Sequence, residues 1–236
     1  MSTITLSLDE IVPYVKDLLK KTIEDGKLNK NVYIGLSGGS MPKVVSQSLI
    51  ELIANGITLD NVKFFMVDER VVPLDHKDSN CGEYLNLLPK TLKDNFIPIT
   101  NFNDEVVAAK EFEDILKKDA NLKVSSSGFP IFDLLLLGLG PDGHTCSLFP
   151  GHKLLEENVK WIVSISDSPK PPPKRITITI PVINNAKNVV FLATGDNKKN
   201  AIKEILINHN KNFPPSLIKL TSGGHATWVI DHDPFA

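Results

Sequence analysis

The chain has 236 residues, 42% of them apolar and 23% charged, with a formal net charge of −2. This composition suits one α/β domain spanning 1–236, with a sizeable core and no long segment that must stay disordered. A balance so near neutrality excludes a global attraction to nucleic acid or anionic membranes, so local cations or backbone N–H groups would have to hold an anionic ligand.

Cys81 and Cys146 are far apart and form no CxxC or Cys/His ligand pattern. Neither a disulfide scaffold nor a zinc module is expected, and the thiols read as partly buried and reduced. The N-terminus "MSTITLSLDE" lacks a basic and then apolar signal, and no stretch approaches the ~20 apolar residues of a membrane span. A cytoplasmic protein is expected.

In chain order, residues 8–25 carry Leu8, Ile11, Val12, Val15, Leu18, Leu19 and Ile23 on one helical face. "VYIGL" (32–36) is an apolar strand, and 41–53 is a helix with Pro42 in its first turn. "VKFFMV" (62–67) is a second buried strand, after which Asn80 reads as an N-cap with Glu83 three residues on. Residues 104–118 form an amphipathic helix, acidic at its start and basic at its end, which suits the helix dipole. Strands follow at 131–137, 160–165, 175–180 and 188–193, then a helix at 197–208 and a strand at 226–230. "SPKPPPK" (168–174) is stiff and non-helical, a surface loop. No internal repeat is visible. Alternating strands and helices predict a Rossmann-like α/β fold, a mostly parallel sheet with helices on both faces. Ligands of such sheets bind at the carboxyl ends of strands.

Three strand-end loops carry chemistry. "GLSGGSMPK" (35–43) places Ser37, Gly38, Gly39 and Ser40 before a helix, with Ser40 able to cap it. Free N–H groups and a helix N-terminus make a phosphate cradle, but a tight strand–helix turn needs the same small residues. The Walker pattern is absent. "MVDERVVPLDHKDSN" (66–80) puts Asp68, Glu69 and Arg70 at a strand end. The guanidinium suits a phosphate or carboxylate, and the acids could transfer protons or orient it. An ion-paired surface loop is the alternative.

The third loop, "LLLLGLGPDGHTCSLFPG" (134–151), contains a G-x-G-x-x-G pattern. Asp167 even lies about 20 residues on, where a dinucleotide site wants a ribose-binding acid. Two features oppose that reading: Pro150-Gly151 interrupts the helix that should carry the pyrophosphate, and Asp142 would repel it. The other reading takes Asp142-Gly143-His144 as the chemistry, an imidazole working near neutral pH with an acid to orient it. A satisfied structural histidine is the bland alternative. Of the other histidines, His152 is nearest and could line the same site.

Taken together, "GLSGGSMPK", "VDERVVPLDHKDSN" and "LGLGPDGHTCSLFPGH" resemble the 6-phosphogluconolactonase family in order and separation, and the likeness extends through "RITIT" (175–179) to "TWVID" (227–231). That family shares a Rossmann-like fold with glucosamine-6-phosphate deaminases. The resemblance implies hydrolysis of a small sugar-phosphate lactone, 6-phospho-D-glucono-1,5-lactone, in the pentose phosphate pathway. It implies no organic cofactor and no metal, and a functional coupling to glucose-6-phosphate dehydrogenase, without nucleic acid or membrane. It implies His144 as general base assisted by Asp142, with Arg70 at the reacting end or the phosphate. The Ser37-Gly38-Gly39-Ser40 loop and Arg175 would contact the phosphate, with Lys174 and Lys198 as further candidates. Asp68 and Gly143 complete the substrate-binding set. The chain departs from the family at Asp75-His76, where paired acids are common, and at Cys146, where alanine is. The deaminases carry a glutamate shortly after the histidine, whereas here no acid follows His144 before Glu156.

Overall fold

A computed structural model describes residues 2–26, 30–221 and 223–232. Seven strands form one wholly parallel sheet. They are β1 (Ser2–Thr5), β2 (Val32–Leu36), β3 (Val62–Met66), β5 (Phe96–Ile97), β6 (Leu134–Gly138), β9 (Asn188–Ala193) and β10 (His225–Ile230), ordered β1-β10-β9-β6-β2-β3-β5. Strands buried on both faces read as continuous apolar runs, which is why "VYIGL" and "LLLLG" show no alternation in sequence. Alternation returns in the packing. Phe65, Leu135, Leu137, Phe191 and Trp228 face one core, while Phe64, Met66, Leu134, Leu136 and Val229 face the other.

Helices α1 (Ile11–Asp25), α2 (Met41–Ala54) and α3 (Asn80–Leu87) contribute to the second core. Helices α4 (Glu105–Lys118), α5 (Ile180–Asn184) and α6 (Lys199–Leu206) contribute to the first. The expected helix at 8–25 begins as a 3₁₀ turn, Leu8–Glu10, entered through a reciprocal capping box between Ser7 and Glu10. The 104–118 helix has Asp104 as its N-cap, accepting from the N–H groups of Val106 and Val107.

Three strands depart from the parallel pattern. β4 (Asp68–Arg70), β7 (Ile162–Ile165) and β8 (Arg175–Ile178) form a separate antiparallel sheet, ordered β4-β8-β7. Register sets Arg70 opposite Arg175 and Asp68 opposite Thr177. Strand order in the main sheet reverses between β2 and β6, the switch point where the carboxyl ends of neighbouring strands open a crevice.

Candidate active site

The loops after β2 and β6 are joined at that crevice. Ser37 donates its N–H to the Leu136 carbonyl, and its Oγ accepts from Gly138 N–H. Tyr84 donates its hydroxyl to the Ser37 carbonyl. Gly38 is required by close approach, since a Cβ there would lie 1.9 Å from Asn80 Oδ1. Among the described residues no hydrogen bond takes the N–H of Gly38, Gly39 or Ser40, and all three residues line a cavity of about 200 Å³. Ser40 occupies the N-cap position of α2 but its side chain makes no capping bond, contrary to expectation. The cap is left as backbone donors at a helix N-terminus, the arrangement that favours anions.

Strand period assigns the "DER" residues. Asp68 and Arg70 share a face and line the cavity, while Glu69 points away, 1% exposed. Glu69 accepts from the N–H groups of Asn80 (2.8 Å) and Cys81 (2.7 Å), so it fastens the N-terminus of α3. Burial pushes its carboxyl up to about 7, against those backbone donors. The N-cap of α3 is Ser79, whose Oγ accepts from Gly82 N–H, and not Asn80. Asn80 instead donates through Nδ2 to the Asp68 carbonyl and lines the cavity. Arg70 donates through Nη1 to the Asp78 carbonyl, and its buried Nε has no partner among the described residues.

The glycine-rich loop folds back on itself through Gly143 N–H to Gly140 O and Gly140 N–H to His144 O. No α-helix starts directly after it, so the dinucleotide reading lacks its pyrophosphate site. His144 lines the cavity and stacks on Phe149, with ring centroids 4.8 Å apart. Its Nδ1 lies 2.5 Å from Asp142 Oδ1, while Nε2 has no protein partner among the described residues. Burial lowers the His144 pKa below the ordinary histidine value, and Lys170 adds to this against Asp142 and Asp68. Burial works to raise the Asp142 pKa, but His144 and Lys170 outweigh it and hold the carboxylate below its ordinary range.

Nine of the eleven residues expected at the site line one cavity: Ser37, Gly38, Gly39, Ser40, Asp68, Arg70, His144, Arg175 and Lys198. Asp142 and Gly143 do not; the first braces His144 from behind and the second shapes the loop. Arg175, 3% exposed, is largely committed to protein. Nε donates to Pro172 O, Nη2 to Lys170 O and Pro171 O, and Nη1 to Ser147 Oγ, which leaves one of its five N–H groups. Lys198 has no partner among the described residues, and burial lowers its ammonium pKa against the pull of Asp231. Lys174 pairs with Glu105 and His152 with Asp167, both outside the cavity. Both cysteines are free and buried, and Cys146 lines the cavity with a left-handed φ of 53°. Sequence reading missed Lys170, whose Nζ lies 3.0 Å from Asp142 and 3.2 Å from His144 Nδ1. A lysine in a proline-stiffened loop gives no signal of such a contact. Among the described residues no group of three or more potential metal ligands gathers, and no helix is long and apolar enough to cross a membrane.

A family model described as glucosamine-6-phosphate isomerases/6-phosphogluconolactonase matches residues 7–228. The chain belongs to this family. Human 6-phosphogluconolactonase is 40% identical over 200 residues, covering 84% of this chain and 77% of the human protein. A Caenorhabditis elegans relative is 44% identical over 179 residues, covering 75% of this chain and 66% of that protein. The solved 6-phosphogluconolactonase from Trypanosoma cruzi superposes with a TM-score of 0.82 at 28% identity, covering 97% of this chain and 93% of that one. The family description spans two chemistries, so the choice between them falls to the site.

Proposed function

We propose that the chain hydrolyses 6-phospho-D-glucono-1,5-lactone, with His144 as general base. The observation that carries this reading is the ring itself: it lines the cavity with Asp142 at Nδ1, and in the tautomer that donates from Nδ1 to this carboxylate Nε2 is the acceptor. Neutral His144 takes a proton from water, and the water oxygen bonds to C1. Arg70 and the remaining N–H of Arg175 stabilise the tetrahedral oxyanion. Collapse breaks the bond from C1 to the ring oxygen, which receives the proton from His144. The N–H groups of Gly38, Gly39 and Ser40, with Lys198, hold the phosphate and position C1. Ring opening and isomerisation of an amino sugar need a second proton carrier. Among the described residues the one carboxylate lining the cavity is Asp68, and it accepts from Ser147 Oγ at 2.7 Å.

Fresh lactone with coupled detection of 6-phosphogluconate, run beside glucosamine 6-phosphate with ammonia detection, tests the assignment. Acceleration of the first alone is expected; ammonia release without lactone hydrolysis would overturn it. His144→Ala is expected to lower kcat/KM by about 10² to 10⁴ above the spontaneous rate. Because the histidine pKa is depressed, activity should be full at pH 7 and fall as pH drops through a value below about 6.5. A flat profile from pH 5 to 8 would sink the histidine base.

A further inference from the structure

The 168–174 loop reads in sequence as a surface connection, yet it is fastened from several sides. Ser168 Oγ and Arg175 Nη2 each donate to the Lys170 carbonyl at 2.9 Å. Arg175 also holds the carbonyls of Pro171 and Pro172, and Ser168 N–H donates to Pro173 O. The result fixes the backbone from which Lys170 reaches the catalytic pair. Its Nζ stands 3.0 Å from Asp142 Oδ1 and 3.2 Å from His144 Nδ1, and it does not line the cavity.

We propose that Lys170 is a positioning residue: from the clamped loop its ammonium braces Asp142 against His144 and opposes the charge the ring gains on taking a proton. The proposal rests on the general-base reading above. Nδ1 can play only one role at a time. Carrying a proton, it donates to Asp142 and leaves Nε2 as the base. Lys170 then donates to Asp142 Oδ1, and its nearness to Nδ1 is a contact between charges. Once Nε2 takes the proton from water, an imidazolium stands against an ammonium. The ring is thereby driven to return the proton to the departing ring oxygen. Among the described residues, Asp142 and Lys170 stand at Nδ1 and Asp68 acts at longer range; Arg70, Arg175 and Lys198 line the same cavity, the Arg175 guanidinium carbon 5.9 Å from the Phe149 ring on which His144 stacks. Lys170 is, among the described residues, the cation that stands against the ring, at Nδ1. Arg175, expected to bind phosphate, spends most of its donors on holding this loop.

The test compares wild type, Lys170→Met and Lys170→Arg in kcat/KM from pH 5 to 8.5, with ring-nitrogen NMR of His144 over the same range. In Lys170→Met the acidic limb and the His144 titration should both move up by roughly half to one pH unit, as removing a like charge predicts. The activity loss would then be larger at pH 5.5 than at pH 8. Lys170→Arg should keep the wild-type limb. A His144 titration unmoved in Lys170→Met, or moved equally in Lys170→Arg, would overturn the proposal. The NMR arm reads the brace directly, whereas His144→Ala reads the base. Failure of one is therefore distinguishable from failure of the other.

Discussion

Gly143 sits at φ +82°, and a methyl group there would lie 1.9 Å from Cδ1 of Phe213. Two independent constraints therefore require glycine, one of backbone conformation and one of space. The residue lies between Asp142 and His144, so any shift it suffers passes directly to the pair. Gly143→Ala combines a left-handed strain of about 1–2 kcal/mol with an overpacking term of about 1–3 kcal/mol. A loss of roughly 2–5 kcal/mol in urea unfolding is expected, with a fall in kcat. A variant within ~0.5 kcal/mol of wild type would show that the loop adapts freely, contrary to this account. The sequence offered Gly143 as a residue wrapping the substrate. Its neighbour in the structure is Phe213, seventy positions along the chain, which no local pattern could reveal.

β4 spans only Asp68–Arg70, yet its three residues serve two sides. Asp68 and Arg70 face the cavity, and Glu69 reaches the α3 N-terminus, where it accepts from two backbone N–H groups. Through that contact it sets Asn80, whose side chain closes over Gly38. Glu69→Ala would leave the N–H groups of Arg70, Asn80 and Cys81 and the Ser79 hydroxyl without this acceptor and should destabilise the fold by roughly 2–4 kcal/mol. KM for the lactone should rise as Asn80 and the Gly38 turn lose their register. Calorimetry or urea melts would settle the first part, and a loss under ~0.5 kcal/mol would refute the capping role. At this scale the sequence was informative in proportion to the locality of the signal. The helices at 41–53 and 104–118 and the strands β2, β3, β6, β9 and β10 of the main sheet follow from periodicity and apolar runs over five or more residues, whereas the four residues of β1, Ser2–Thr5, offer no such run. β4 and β5 are too short for a period to register, and the antiparallel sheet joins β4 to β8, about a hundred residues further along the chain. The cap of α3 was misread by one position because Ser79 and Asn80 are both good caps. Asn80 is diverted to Asp68 O, a partner on another element.

The cavity draws on loops after β2, β4, β6 and β9, so chain segments from Ser37 to Lys198 meet at one switch point. That much was legible, because glycine-rich strand ends in an alternating α/β pattern can converge only at the carboxyl edge of the sheet. What the convergence does not encode is how each cation is used. Arg175 is nearly saturated by backbone carbonyls, whereas Lys198 is half-buried and unpartnered among the described residues. Burial disfavours the Lys198 ammonium more than Asp231 favours it, and an anionic ligand would relieve that cost, which makes Lys198 the candidate phosphate contact alongside the Gly38–Ser40 amides that line the same cavity. Binding that ties the two ends of the site together should stabilise the whole molecule. 6-Phosphogluconate at about 100 times its Kd is expected to add about 2.7 kcal/mol, or roughly 5–10 °C in Tm for a chain of this length. Lys198→Met should leave the unliganded Tm unchanged or slightly higher, since a charge that burial disfavours is removed, and should shrink the ligand-induced rise at the same concentration. Equal rises in wild type and Lys198→Met would remove Lys198 from the phosphate site, and no rise in either at saturation would remove the product from the cavity.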